Sequence, residues 1–145
     1  MEKRLRWASR WIQAGCFLFF LYGIFASIFA REISLYQFTA FSGETNLDNQ
    51  VLEFIQSLVL IIGLMGAGLA LASGILFRVG IQTRSRLLFL SGLISGAIGV
   101  FVLLTVHLHQ RAWLLFIADN VCLTVLSIGL NLGAREIFNL IRGAP

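Results

Sequence analysis

Charged residues are scarce in this chain of 145 residues. Only 12% are Asp, Glu, Lys or Arg, against about 25% in an average soluble domain. Apolar residues make up 58% of the chain, and its mean hydropathy is +0.87. A chain with so few charges cannot cover a water-facing surface, so an ordinary soluble domain is excluded. The composition predicts a protein whose solvent is the lipid bilayer.

Cysteine and catalytic motifs are also scarce. The two cysteines, Cys16 and Cys122, lie in apolar runs without CxxC spacing, where cysteine behaves as a small hydrophobe. A disulfide or redox role is therefore disfavoured. The sequence has no Gly-rich phosphate loop, no HExxH, no GxSxG and no acidic cluster. These absences favour a non-enzymatic protein with no catalytic residues and no metal site.

What the chain does have is four long apolar runs, at residues 11–30, 51–77, 87–106 and 112–133. A helix needs about 20 apolar residues to cross about 30 Å of hydrocarbon. The runs do not alternate as the strands of a membrane barrel do. The sequence therefore predicts an all-α membrane protein, a single four-transmembrane-helix bundle over residues 1–145.

The basic residues predict how the bundle is oriented. Arg31 and Arg111 fall on one side of the predicted spans, and the other nine basic residues fall on the opposite side. By the positive-inside rule, both termini should face the cytoplasm. The same distribution explains the net charge of +4 without nucleic acid as a partner. The nine are Lys3, Arg4, Arg6, Arg10, Arg78, Arg84, Arg86, Arg135 and Arg142.

The basic N-terminus before an apolar run also resembles a secretory signal peptide. The run at 11–30 is long for such a segment, and the residues before Arg31 make a poor cleavage site. We therefore expect a retained first helix. The expected membrane is a bacterial-type inner membrane.

The links between the spans differ in length. Residues 31–50 form the only substantial loop, expected on the outer side with its apolar half in the interface or under a partner. Asp48 or Asn49 is expected to cap the second span. The two other links are short, which predicts antiparallel packing of the second, third and fourth spans. The amphipathic tail from Arg135 is expected to continue the fourth helix until Gly143 and Pro145 stop it.

Small residues recur at helical spacing in the second and third spans. Side chains four residues apart share a helix face, and small ones allow helices to approach closely in lipid. Packing within the chain and a subunit interface are both compatible with this pattern. The helix-packing residues predicted in this way are Gly66, Ala70 and Gly74 in the second span, and Ser91, Ser95 and Gly99 in the third.

Polar residues gather at one depth of the predicted bundle. Asp119 lies eight residues beyond Arg111, roughly 12 Å below the outer boundary. An unpaired charged carboxyl there costs several kcal/mol, so Asp119 needs a partner. By depth, Tyr22 and Gln56 are the expected partners. The predicted intramembrane cluster comprises Tyr22, Glu53, Gln56, His107, His109, Asp119 and Asn120.

The fourth span also carries a polar stripe, formed by Asn120, Thr124, Ser127 and Asn131. Their spacings of four, three and four place them along one helix face. A face that contacts only lipid would not carry these side chains. The stripe indicates hydrogen bonds between helices or a path for a polar substrate or protons.

Three functional hypotheses follow. The first is a non-enzymatic accessory or assembly subunit of a membrane complex, in contact with lipid and with other subunits or itself. The second is an oligomeric proton- or cation-coupled transporter or channel that uses Asp119 and Glu53. The third is a haem- or chlorophyll-associated subunit using one ligand, His107 or His109. These histidines diverge by about 200° on one helix, so they cannot both bind one metal.

Overall fold

The computed structural model describes residues 2–43 and 48–142, without the side chains of Glu2 and Leu140. All secondary structure within these ranges is helical. Four of the helices, α1, α3, α4 and α5, are long and apolar enough to cross a membrane, which confirms the prediction of four apolar helices. The helices are α1 (Glu2–Ile28), α2 (Ala30–Ser42), α3 (Asn49–Gln82), α4 (Arg86–His109), α5 (Trp113–Leu132) and α6 (Ala134–Arg142).

The helices extend beyond the apolar runs because adding a residue to an existing helix costs much less than starting one. The first helix begins at Glu2 rather than at residue 11, and the helix of the second span continues to Gln82. That helix, α3, begins as predicted. The Asp48 carboxylate accepts a hydrogen bond of 2.8 Å from the Gln50 N–H, which satisfies one of the free amides of the first turn.

The expected outer loop contains a helix. In α2, the side chains of Ile33, Ser34 and Gln37 are buried, and the helix packs against α3. The Tyr36 hydroxyl accepts a hydrogen bond of 3.2 Å from the Leu114 N–H. This amide lies in the first turn of α5, where helices have no internal partner. The loop prediction is corrected here: α2 is part of the bundle and ties α3 to α5.

The tail also differs from its prediction. The fourth spanning helix, α5, ends at Leu132, and a separate helix, α6, begins at Ala134. Between them, a Cβ added at Gly133 would lie 2.7 Å from the Ala8 Cβ, so only glycine fits there. Ile137 of α6 is buried in the core. Gly143 and Pro145, expected to stop the helix, lie outside the described residues.

The spanning helices pack unequally. The first helix, α1, packs closely against both α3 and α5, while α4 packs mainly against α3. A Cβ added at Gly23 of α1 would lie 2.6 Å from the Gly63 carbonyl oxygen of α3. One added at Gly129 of α5 would lie 2.6 Å from the Ile12 nitrogen of α1. The closest backbone approaches therefore involve the glycines around α1.

The gap between α3 and α4 widens along the helices. A Cβ added at Gly80 would lie 2.7 Å from the Phe89 nitrogen, and one at Gly92 would lie 3.1 Å from the Leu76 Cβ. One added at Gly99 would meet only a Leu69 methyl, at 3.9 Å. Because the two helices diverge, the bundle opens on this side.

The predicted packing residues differ in how closely they approach other helices. Ser95 shares a hydrogen bond of 2.8 Å with Ser73, and a Cβ at Gly74 would lie 3.2 Å from the Cys16 Cβ. Gly66, in contrast, has nothing within 4 Å of an added Cβ. Of the other three predicted packing residues, Ala70 and Gly99 are half-buried and Ser91 is exposed.

The two ends of the bundle are packed differently. We call residues 2–10, 78–86 and 134–142 the basic end, and residues 30–43, 48–52 and 107–113 the histidine end. The core of Ile12, Cys16, Phe77, Phe89 and Ile137 lies toward the basic end. The Phe77 and Phe89 rings meet there edge to face, with centroids 5.2 Å apart. The half toward the histidine end holds a cavity instead.

Candidate functional site: a cavity beside a buried histidine–aspartate pair

A cavity of about 670 Å³ lies among the first five helices. Cys16 and Phe77 of the core bound it toward the basic end, and most of its other lining side chains are apolar. Gly66 and Gly99 also line it, which explains the space beside them. Pockets that hold small molecules commonly measure about 300–1,000 Å³ and are mostly apolar, with a few polar groups.

Exposed apolar side chains border the cavity on one side. Of its lining residues, Leu58 and Ile62 on α3 and Phe101 on α4 are exposed. They lie where α3 and α4 diverge, within spans that are apolar enough to cross a membrane. Exposed apolar side chains on this side of the cavity suit contact with lipid.

Polar side chains line the cavity near the histidine end. They are Tyr22 from α1, Gln37 from α2, His107 and His109 from α4, and Gln110 from the residue that follows α4. Gln37 is 7% exposed and His107 is 5% exposed. Within the described chain, the buried Gln110 Oε1 has no hydrogen-bond partner. The cavity thus combines an apolar body with one polar end.

The interior of the bundle holds a buried pair of ionisable side chains, His107 and Asp119. His107 Nδ1 and Asp119 Oδ2 lie 2.6 Å apart and share a hydrogen bond. Asp119 is completely buried, and its second oxygen, Oδ1, has no partner among the described residues. The Tyr22 ring meets the His107 ring edge-on, with centroids 6.4 Å apart. Because Asp119 occupies Nδ1, Nε2 is the ring nitrogen left for a ligand.

The tight link between α4 and α5 brings the pair together. His107 lies in the last turn of α4, and Asp119 lies in the second turn of α5. Arg111 takes a left-handed conformation, with φ of 55°. The Ala112 N–H donates a hydrogen bond of 2.9 Å to the His107 carbonyl. The chain therefore reverses direction within this short link, which places the His107 and Asp119 side chains at the same depth in the bundle.

The structure brings together three of the seven residues of the predicted cluster: Tyr22, His107 and Asp119. The partner of Asp119 is His107, rather than Tyr22 or Gln56. His109 lies on the cavity lining, and its ring is 6.1 Å from that of Phe41. Helix depth alone suggested the larger cluster, but depth does not determine which way a side chain points around its helix.

The remaining members lie elsewhere. Glu53 is exposed, and together with Gln56 it borders a separate shallow depression on α3. Asn120 is exposed, and its side-chain amide donates a hydrogen bond of 2.7 Å to the Phe116 carbonyl. These three side chains do not contact the histidine–aspartate pair.

Two polar residues of the site, Gln37 and Gln110, were not predicted from the sequence. Gln37 belongs to the segment expected to be a loop. Its spacing from Ile33 and Ser34 is that of one helix face, which could have indicated a buried side of α2. Gln110 gives no comparable signal, because its position depends on the geometry of the link.

The polar stripe of α5 faces away from the bundle. Asn120, Thr124 and Asn131 are exposed, and Ser127 is half-buried. Three of these side chains bond back to their own helix. Besides the Asn120 bond described above, Thr124 Oγ1 donates to the Asn120 carbonyl at 2.7 Å, and the Asn131 amide donates to the Ser127 carbonyl at 3.0 Å. Such bonds use only part of the capacity of a side-chain amide, so the stripe can still bond to another chain.

Metal-type ligands do not gather in the part of the chain described here, where no group of three or more His, Cys, Asp or Glu side chains lies together. Cys16 and Cys122 are both buried and free. Comparison with known protein families, curated proteins and solved structures found no match. The cavity and the polar stripe are therefore the features of the molecule that bear on its function.

Proposed function

We propose that this protein is a non-enzymatic integral membrane protein that binds a membrane-soluble molecule with a long apolar body and a small polar head. The observation that supports the proposal is the cavity of about 670 Å³, which combines a border of exposed apolar side chains with a polar end. Its size and lining are those of small-molecule sites. Its apolar border suits molecules that already reside in the bilayer.

The polar end must supply most of the selectivity. Lipid chains are as apolar as the cavity wall, so moving an alkyl chain from lipid into the cavity gains little from the hydrophobic effect. A polar group at this depth has few partners in lipid, whereas Gln37, His107 and Gln110 provide several. A polar head therefore gains hydrogen bonds on binding, and the apolar body fills the remaining space.

Filling the cavity tests this proposal. Gly66 lines the cavity, and nothing lies within 4 Å of a Cβ added there. Gly66→Leu should therefore fill part of the cavity without forcing helices apart. Gly68, two residues along α3, has equally open space but is exposed and outside the cavity. Gly68→Leu is thus a matched control.

The measurement is the amount of small lipophilic molecule that copurifies with each variant in mild detergent, identified by mass spectrometry after solvent extraction. We expect a specific compound in the wild type and in Gly68→Leu, and a reduced amount in Gly66→Leu. Equal amounts in all three proteins, or only bulk membrane lipid in all three, would contradict the proposal.

We propose, as a second candidate function, that the protein is an accessory or assembly subunit in contact with other membrane subunits or with itself. The outward polar stripe of α5 favours this function. Hydrogen bonds between membrane helices contribute about 0.6 kcal/mol each on average, so replacing two should weaken an assembly measurably.

The double variant Asn120→Leu, Asn131→Leu tests the stripe. We expect a shift toward smaller assemblies in native mass spectrometry. Thr105→Leu, which changes an exposed polar residue on α4, should leave the assembly unchanged. An unchanged assembly in the double variant would argue against a subunit contact through α5.

The transport and pigment hypotheses are modified by the geometry. A path joining Asp119 and Glu53 receives no support, because Glu53 is exposed on α3 and does not contact the pair; proton transfer would instead involve His107 and Asp119.

For haem or chlorophyll, His107 is the favoured single ligand, since histidines that bind metals commonly donate their other nitrogen to a carboxylate. Visible absorbance of the purified protein tests this directly.

A further inference from the structure

We infer that the head of the bound molecule is an uncharged hydrogen-bond acceptor, a carbonyl oxygen of the quinone or ester class, and that His107 Nε2–H is its donor. The inference rests on the proposed function of the cavity and adds the chemistry of its ligand. Three observations support it: the 2.6 Å contact of His107 Nδ1 with Asp119, the burial of both side chains, and the position of His107 on the cavity lining.

The pair has two protonation states without net charge. In the first, Asp119 is ionised and His107 carries protons on both ring nitrogens. In the second, the Asp119 carboxyl is protonated and donates to Nδ1, so the neutral ring carries its own proton on Nε2. Nε2 bears a proton in both states. The second state has an alternative tautomer, with the carboxyl proton on Oδ1 and Nδ1–H donating to Oδ2, and it leaves Nε2 bare. That tautomer is disfavoured, because the buried Oδ1–H would have no acceptor among the described residues and would leave a hydrogen bond unmade. Otherwise Nε2 is bare only when an ionised Asp119 faces a neutral histidine, and that state has a net charge of −1.

The charged state is disfavoured by its surroundings. Burying an uncompensated charge in an apolar environment costs several kcal/mol or more. Asp119 is completely buried, and its Oδ1 receives no hydrogen bond within the described chain. No Lys or Arg is among the described residues that line the cavity. The pair should therefore be neutral overall, with His107 Nε2 as a donor.

A donor at the polar end selects the head group. A carboxylate or phosphate would accept the hydrogen bond but would bring a net negative charge into the same apolar surroundings. An uncharged carbonyl accepts the bond at no such cost. The side-chain amides of Gln37 and Gln110 can donate to its second lone pair. Asp119 acts as a positioning residue, because it holds the His107 ring without facing the cavity itself.

The test compares four probes with tails of similar length. Methyl dodecanoate and a dodecyl-substituted benzoquinone carry a carbonyl, 1-dodecanol carries a hydroxyl, and tridecane has no head. Each probe is added to the protein in nanodiscs of zwitterionic lipid after a spin-labelled alkane has bound. Displacement of this alkane is measured as loss of the immobilised component of its electron paramagnetic resonance spectrum. We expect at least one carbonyl probe to displace the label at about a fivefold lower concentration than tridecane.

Two variants locate the donor. Replacing both members of a buried pair with apolar residues can be nearly neutral for stability, whereas removing one leaves an unpaired group. His107→Phe, Asp119→Leu therefore removes the donor in a protein expected to fold. His109→Phe changes a histidine that also lines the cavity but has no carboxylate partner among the described residues, so it is the matched control. The carbonyl preference should vanish in the double variant and persist in His109→Phe.

The protonation of the ring can be observed separately. The chain has two histidines, so ¹⁵N-histidine labelling of the wild type and of His109→Phe assigns both rings. We expect a directly bonded proton on His107 Nε2. A bare Nε2, or one bound to a metal in a coloured protein, would overturn the inference.

The outcomes separate the two proposals. If tridecane and the carbonyl probes bind equally, or 1-dodecanol binds best, the carbonyl inference fails while the cavity function stands. If the preference survives in the double variant, His107 is not the donor and the inference fails. If no probe displaces the label and Gly66→Leu changes nothing, the proposed function itself fails. A preference for the quinone alone or the ester alone supports the inference and identifies the class.

Discussion

At the scale of single residues, the glycines of α1 and α3 set how closely the two helices approach. A Cβ added at Gly23 would lie 2.6 Å from the Gly63 carbonyl oxygen and 2.8 Å from the Ala67 nitrogen. Both neighbours are backbone atoms, which cannot move without shifting a helix. We expect Gly23→Ala to lower the free energy of unfolding by about 1–3 kcal/mol, measured by thermal denaturation in detergent.

Gly68 provides the control for that prediction. It is exposed in the same helix as Gly63, and nothing lies within 4 Å of an added Cβ. Alanine is a better helix former than glycine by about 1 kcal/mol. Gly68→Ala should therefore be neutral or stabilising. Equal losses of stability in Gly68→Ala and Gly23→Ala would show that close packing is not the cause.

The histidine–aspartate pair gives a second prediction at this scale. His107→Phe removes the only hydrogen-bond partner that Asp119 has among the described residues. Breaking a buried pair on one side commonly costs about 3–5 kcal/mol. We expect this loss for the single variant, and a clearly smaller one for His107→Phe, Asp119→Leu. Denaturation of both variants alongside the wild type measures the difference. A double variant as unstable as the single one would mean that packing of the His107 ring is what matters.

Among the helices, α2 shows what hydropathy leaves out. The four spans could be predicted from the mean hydropathy of a long segment, because this mean does not depend on the direction in which each side chain points. The segment after Arg31 mixes apolar and polar residues, so its overall composition resembles an interfacial loop. Its helix becomes apparent only from the spacing of Ile33, Ser34 and Gln37, whose buried side packs against α3.

The contact of α2 with α5 can be tested by one hydroxyl. Tyr36→Phe removes the acceptor of the Leu114 N–H and leaves the ring in place. A hydrogen bond of this kind contributes about 1 kcal/mol. We expect a small loss of stability and faster hydrogen exchange at the start of α5, measured by mass spectrometry. Unchanged exchange at the first turn of α5, with α2 still protected, would show that the contact contributes nothing.

For the whole molecule, the sequence predicts the four long apolar helices but not the space between them. The cavity exists because α3 and α4 diverge after the Ser73–Ser95 contact. Small residues such as Gly66 and Gly99 indicate either close contact or open space, and only the relative directions of the helices decide between the two. Depth likewise grouped Tyr22 and Asp119, which both contact His107, with Glu53, which is exposed on α3.

The distribution of basic residues makes a prediction about the entire bundle. Nine of the eleven Lys and Arg residues lie toward the basic end, so this end should face the cytoplasm. Thr39 on α2 and Thr83 after α3 are exposed at opposite ends. In intact cells, a membrane-impermeant maleimide should label Thr39→Cys at once and Thr83→Cys only after permeabilisation. The wild type is the blank, since Cys16 and Cys122 are buried. Immediate labelling of Thr83→Cys would reverse the orientation, and labelling of both variants from one side would contradict the arrangement of four spans.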